Sequence, residues 1–137
     1  MRSPVRVRRM NQLQAADKVL DRIRDRSEPF DERAYLFVLA AVQFLQTRLP
    51  VRRHVTGVEL AWACRDLALE QFGLLAPHVL AFWGVRHSGD FGRIVFALVD
   101  MGLLITQPGD REEDFDGVYQ FTDAFDATYV WQGVPST

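Results

Sequence analysis

Three successive helical patterns, each closed by a glycine, constrain the fold of this 137-residue chain more than any other feature. The first pattern covers residues 57–72, where apolar residues recur at helical spacing. Thr56 and Glu59 have the spacing of a capping box at its start, and Gly73 stands where a left-handed cap ends a helix. The sequence therefore predicts a helix over 57–72.

Two further helices are predicted after Gly73. A short one has Pro77 in its first turn, where proline is tolerated, and ends at Gly84. The next runs from about residue 89 to residue 101, with Ser88 as its N-cap and Gly102 after its last turn.

The amino-terminal half predicts two more helices. Residues 12–24 alternate apolar and charged positions at helical spacing, which is typical of an amphipathic helix. A second helix is predicted over 32–49 and is apolar on nearly every side from Ala34 to Leu45, so we expect it to lie at the centre of the molecule. Pro29 separates the two helices because it disfavours helix at its own position and at the residue before it.

After Gly102 the apolar residues no longer recur at helical spacing. The runs "LLIT" and "VYQFT" are rich in β-branched and aromatic residues, and the acidic loop "QPGDREEDFDG" between them has two Gly-containing turn signals. We therefore predict a two-stranded antiparallel hairpin. The predicted fold class is mainly α with a small β-hairpin (α+β), a winged-helix-like domain with about five helices and a two-stranded wing.

Composition indicates a single domain. The chain is 48% hydrophobic, and no apolar stretch approaches the length of a membrane span. We predict a basic arm over 1–9, one domain over 10–125 and a carboxyl-terminal tail over 126–137, in a cytoplasmic protein with no membrane partner. Cys64 is the single cysteine, which excludes an internal disulfide.

Charge is unevenly distributed along the chain. Residues 1–53 hold 12 Lys and Arg against 6 Asp and Glu, whereas residues 88–137 hold 2 against 9. This asymmetry is typical either of a basic arm and an acidic face that bind partners of opposite charge, or of ordinary solvated surface.

Four stretches carry a resemblance to a known family: "FDERAYLFVLAAVQFL", "RRHVTGVELAWACRDLALEQFG", "VLAFWGVRHSGDFGRIVFALVDMGLL" and "DREEDFDGVYQFTDAF". Over residues 10–125 the chain resembles a family of short, uncharacterised bacterial proteins. The resemblance implies kinship without an activity, a cofactor or catalytic residues. Relatives begin near Met10, which raises the alternative that residues 1–9 are an extension or a mis-assigned start. The chain departs from the family pattern at Val58 and in "ITQPG", where glutamine and lysine are common.

The leading functional hypothesis is a non-enzymatic protein-interaction or regulatory module with a protein partner or a second copy. The alternative is a DNA-binding transcriptional regulator, which requires cations on the helix before the wing because base edges and phosphates are contacted by such groups. That helix offers only one arginine, and the loop beside it is anionic, so nucleic acid is disfavoured except through the amino-terminal arm. The candidate interaction residues are Arg93, Asp110, Arg111, Glu112, Glu113, Asp114 and Asp116.

No catalytic or cofactor-binding residues are predicted. "DFG" at residues 90–92 lacks the other kinase motifs, and the three histidines lack metal-ligand spacing. An alternative for the acidic loop is a calcium site, because its carboxylates resemble the spacing of a calcium loop. The candidate ligands are Glu112, Asp114, Asp116 and Asp123.

Overall fold

The computed structural model describes residues 17–26 and 29–126, and the described part is helical. Residues 17–26 form α1, followed by α2 (Glu32–Arg48), α3 (Gly57–Phe72), α4 (Ala76–Phe82), α5 (Ser88–Asp100) and the short α6 (Phe121–Ala124). Two 3₁₀ turns cover Gly73–Leu75 and Glu112–Phe115. The predicted arm over 1–9, the first residues of the helix predicted over 12–24, and the tail after residue 126 lie outside the described residues.

The predicted helices α2 and α3 are confirmed, but α2 is not surrounded on every side, because Arg33, Leu36, Ala40, Gln43 and Thr47 form an exposed face. α2 contributes six buried residues to the core. All six lie between Ala34 and Leu45, and they include Tyr35 and Phe37. α3 begins with the predicted capping box, because the Thr56 hydroxyl accepts from the Glu59 N–H and the Glu59 carboxylate accepts from the Thr56 N–H. Gly73 ends α3 as predicted and has a positive φ of 56°, but its ψ of −133° lies outside the left-handed helical region that was predicted.

Glycine stops α4 and α5 in the predicted way. Gly84 and Gly102 have φ of 94° and 80°, and each allows a Schellman motif that satisfies helix-end carbonyl groups. After α5, the Leu103 N–H donates to the Leu98 carbonyl at 2.9 Å. The predicted N-cap of α5 is wrong, because His87 is the N-cap and Ser88 lies inside the first turn.

The predicted β-hairpin, and with it the winged-helix-like fold, is wrong: residues 17–26 and 29–126 contain no β-strand. "LLIT" does not form a strand because its first two N–H groups, those of Leu103 and Leu104, both donate to Leu98 at the end of α5. "VYQFT" does not form one because Tyr119 packs against α3 and Phe121 begins α6.

Aromatic Phe115 attaches the acidic loop to the helices. Its side chain is 3% exposed and lies where α3 and α5 have glycines instead of larger residues. A Cβ added to Gly57 would be 2.9 Å from the Phe115 ring, and one added to Gly92 would be 2.9 Å from Phe115 Cβ and 2.8 Å from the Glu112 carbonyl oxygen. The predicted wing tip is therefore a segment of the body, held against two helices.

Buried polar side chains connect this last part of the chain to α3 and α5. The Ser88 hydroxyl donates to the Phe115 carbonyl at 2.6 Å and accepts from the Val118 N–H at 3.1 Å. In the opposite direction, the Tyr119 hydroxyl donates to the Ala61 carbonyl of α3 at 2.6 Å. The Arg65 guanidinium, 2% exposed, donates to the Ala124 carbonyl of α6 at 2.9 Å. Of these backbone groups, the Val118 N–H belongs to the predicted strand "VYQFT", and the Ser88 hydroxyl satisfies it in place of a β-ladder.

Replacement of Gly92 by alanine tests the close packing at Phe115. We expect Gly92→Ala to lower the free energy of unfolding by about 1–3 kcal/mol, because the new methyl meets backbone and a packed ring, although alanine favours helix. Gly89→Ala is the matched control, since its methyl meets only the end of the exposed Asp116 carboxylate, at 2.5 Å, which can rotate away. Urea unfolding of both variants measures the difference; equal effects would contradict the packing at Phe115.

The capping box predicts how stability responds to acid. Hydrogen bonds from Arg53 and from the Thr56 backbone lower the pKa of Glu59 to about 2, from the ordinary 4.5. As pH falls from about 4.5 towards 2, the unfolded chain takes up this proton before the folded chain does, so the stabilisation from Glu59 is lost over that range.

We expect Glu59→Gln to lower the free energy of unfolding at pH 7 by about 1 kcal/mol and to reduce the loss on acidification. The measurement is chemical unfolding at a series of pH values. Glu70→Gln, an exposed position on the same helix, serves as the control. A Glu59→Gln acid profile parallel to that of the wild type would contradict the lowered pKa.

Candidate functional site

Two of the five carboxylates in the acidic segment, residues 110–116, are held by contacts within the protein, and the other three belong to the exposed residues Glu112, Glu113 and Asp116. The Asp110 carboxylate accepts from the Gln107 N–H at 2.7 Å and pairs with His54 Nε2 at 3.0 Å. The Asp114 carboxylate accepts from the Arg111 N–H at 3.1 Å, and the Arg111 guanidinium lies 3.6 Å from it. The predicted interaction residues in this segment therefore lie together, but several of them hold the loop in shape.

Arg93 is the one candidate interaction residue on α5. Its side chain is 55% exposed, lies 3.6 Å from the Asp90 carboxylate, and is positioned over the Phe30 ring at 5.5 Å. The predicted buried face of α5 is confirmed from Phe91 to Met101. The solvent side of α5 thus presents a partly neutralised arginine with Asp90 and Asp100, next to an anionic segment. This arrangement gives little attraction for phosphate.

A polar cavity of about 360 Å³ lies between the start of α5 and the acidic segment. Charged groups of both signs line it, so it has no dominant charge. The Asp90 carboxylate in this cavity accepts from the N–H groups of Arg86 and His87 at 2.9 and 3.1 Å. The ionisable residues that line the cavity are Arg86, His87, Asp90, Arg93, Glu112 and Asp116.

The predicted alternative of a calcium site at Glu112, Asp114, Asp116 and Asp123 has no support from the geometry. Within residues 17–26 and 29–126, no three His, Cys, Asp or Glu side chains are grouped to hold a metal ion. Gly117 has the positive φ of 64° that its turn requires, but Asp114 accepts from Arg111 and the Asp116 carboxylate extends towards Gly89.

Buried ionisable groups on α3 serve structure. Burial raises the pKa of the Cys64 thiol well above its ordinary value, so this cysteine is a small buried hydrophobe as predicted. Burial also raises the pKa of Asp66 to about 6, although Arg65 donates to its carboxylate at 2.9 Å. Burial raises the pKa of the Tyr119 hydroxyl in the same region.

An apolar surface at α4 is the feature that sequence reasoning missed. Leu74, Leu75 and Phe82 are 70%, 64% and 75% exposed. Leu75, Val79 and Phe82 recur at the spacing that places residues on one side of a helix. The opposite side, from Ala76 to Trp83, supplies the core. The sequence contains a sign of this surface, because α4 has two apolar stripes one residue apart. The core of a small domain needs only one of them, so the other is left exposed.

The outer face of α2 is also apolar. The Arg33 guanidinium lies over the Phe82 ring at 5.5 Å, which places the start of α2 beside α4. One turn along α2, Leu36 is 37% exposed, and Ala40 is exposed on the same side. No charged residue occurs in α2 between Arg33 and Arg48. We call Leu36, Ala40, Leu74, Leu75 and Phe82 the apolar surface.

Comparison with known proteins finds no similar protein or structure. No protein-family model, curated protein or solved structure matches the chain. The resemblance to a bacterial family therefore depends on the four quoted stretches alone. Among the residues that the structure describes, no helix has the length and apolar character needed to cross a bilayer.

Proposed function

We propose that this chain is a cytoplasmic, non-enzymatic protein-interaction module that binds its partner through the apolar surface. The observation that carries the proposal is the exposure of Leu74, Leu75 and Phe82, three large apolar side chains within nine residues. Covering each of them in an interface would stabilise a complex by about 1.5–3 kcal/mol relative to leaving it in water. Contiguous exposed apolar patches of this kind mark binding surfaces in folded proteins.

The composition of the apolar surface favours a protein over other partners. Aromatic residues and arginine are enriched in protein interfaces, and lysine, glutamate and aspartate are depleted. Phe82 with Arg33 over its ring fits this preference, and the exposed side of α2 beyond Arg33 continues with Leu36 and Ala40. A second copy of the chain is the first partner to test, because a two-fold dimer buries the same surface on both subunits.

DNA binding, the alternative predicted from the sequence, draws less support. Phosphate contact depends on several cations, and the exposed side of α5 has Arg93 between Asp90 and Asp100. Salt-dependent retention on duplex DNA that Arg93→Ala abolishes would favour this alternative over the protein partner.

Sedimentation velocity over a range of concentrations tests the interaction. We expect the wild type to dimerise. The double variant Leu75→Ser/Phe82→Ser should raise the Kd of the dimer by at least about tenfold, because each substitution removes more than about 1.4 kcal/mol of favourable apolar burial from the interface. Val51→Ser is the matched control, because Val51 is also an exposed apolar residue, at 73%, but lies outside the apolar surface.

A photo-crosslinking residue at position 82 extends the test to a different protein partner, with position 51 as the control. Crosslinks in native cells to one defined protein from position 82 alone would support the proposal. A monomeric wild type that also gives no crosslink from position 82, or equal crosslinks from both positions, would overturn it.

A further inference from the structure

A second cavity, distinct from the apolar surface, lies between α2, α3, α5 and the chain that follows α5. Its volume is about 150 Å³. A protein cavity of about this size with apolar walls holds a benzene molecule. Most of its inner wall is apolar and buried or half-buried: Val42, Leu60, Val95, Phe96, Leu104 and Phe115. The cavity therefore has the size and chemistry to receive one aromatic ring or a short branched alkyl chain.

Ile105 lies at the opening of this cavity. It is a lining residue, yet its side chain is 90% exposed. Leu104, beside it in the chain, is half-buried in the wall. A molecule bound in the opening would cover apolar surface that Ile105 otherwise presents to water, which is favourable in proportion to the area removed from water.

The polar groups at the rim are already paired within the protein. His54 Nε2 lies 3.0 Å from the Asp110 carboxylate, and the Arg111 guanidinium lies 3.6 Å from the Asp114 carboxylate, so the four ionisable side chains are in contact two by two. Two uncharged rim side chains are also occupied. The Gln46 amide bonds the Arg53 backbone, and the Thr56 hydroxyl accepts from the Glu59 N–H.

The contacts among the rim groups favour an uncharged ligand. The Asp110 and Asp114 carboxylates each already accept from a backbone N–H and contact a second side chain, so a charged ligand at the rim would have to displace one of these contacts. Desolvated charge without a partner is costly. A neutral molecule with one hydroxyl, amide or ring N–H leaves both pairs intact and still has hydrogen-bonding atoms within the rim. We infer that this cavity is a binding site for a small, neutral, mainly apolar molecule of about the size of a single ring.

The test compares three probes with the same ring and different charge: phenol, benzoate and benzylamine. Binding to the full chain is followed by amide chemical shifts in an NMR titration. We expect phenol to bind with a Kd on the order of 1 mM, with shifts concentrated around Val42, Leu60, Val95 and Leu104. Benzoate and benzylamine should bind at least about tenfold more weakly.

A bulky substitution at the rim locates the site. Thr106→Trp places a large side chain at a loop position that lines the cavity, and we expect it to weaken phenol binding at least about tenfold. Thr122→Trp, an exposed position on α6, is the matched control and should leave binding unchanged.

Three results would overturn the inference: absence of phenol binding, equal binding of all three probes, or unchanged binding by Thr106→Trp. The wild-type shifts and the charge preference remain informative if the variant does not fold. None of these measurements depends on the apolar surface, so this site and the proposed function can fail separately.

Discussion

The position of one phenyl ring determines how the last third of the described chain is arranged. Phe115 occupies a notch that exists because Gly57 of α3 and Gly92 of α5 have no Cβ, and the Glu112 carbonyl lies close to the same helix. Close packing of this kind tolerates neither a larger residue in the notch nor a smaller one in place of the ring. An anionic segment that would otherwise extend into solvent is thereby fixed against the two helices.

Fixing the segment also determines its electrostatics. Packing of residues 110–116 brings Asp110 to His54, and within the segment Asp114 contacts Arg111. The Asp110 and Asp114 carboxylates also accept from backbone N–H groups, whereas Glu112, Glu113 and Asp116 are exposed. Within the described residues these carboxylates are not grouped to hold a metal ion. The contacts at Asp110, Arg111 and Asp114 make the adjacent apolar cavity better suited to a neutral molecule.

The proposed interaction and the proposed ligand site follow from the same limitation of a small body. A domain of this size has too little interior for all of its large apolar residues. The core takes one stripe of α4 and most of α2, and the second stripe of α4 stays in water. Around the end of α5 the helices and the following chain leave a small apolar space instead. The apolar surface and the cavity are both places where the fold leaves apolar side chains incompletely covered. The apolar surface is large enough for a protein partner, and the cavity is large enough for a small molecule.

The sequence by itself determined the helices and their ends. The capping box at Thr56 and Glu59, and the glycines at 73, 84 and 102, act within a few residues, so local rules were sufficient for α2 to α5 and for the buried face of α5. Local rules failed at "LLIT" and "VYQFT", where β-propensity was read as strand. In "LLIT" the N–H groups of Leu103 and Leu104 donate to Leu98, so the glycine cap of α5 overrode the β-propensity. Only the tertiary structure decided "VYQFT", because the Val118 N–H and the Tyr119 ring find partners on α5 and α3, and contacts so distant in sequence leave no local pattern. The same reason applies to the apolar surface and the cavity: which apolar residues the core covers depends on how the helices pack, and the sequence gives only their spacing.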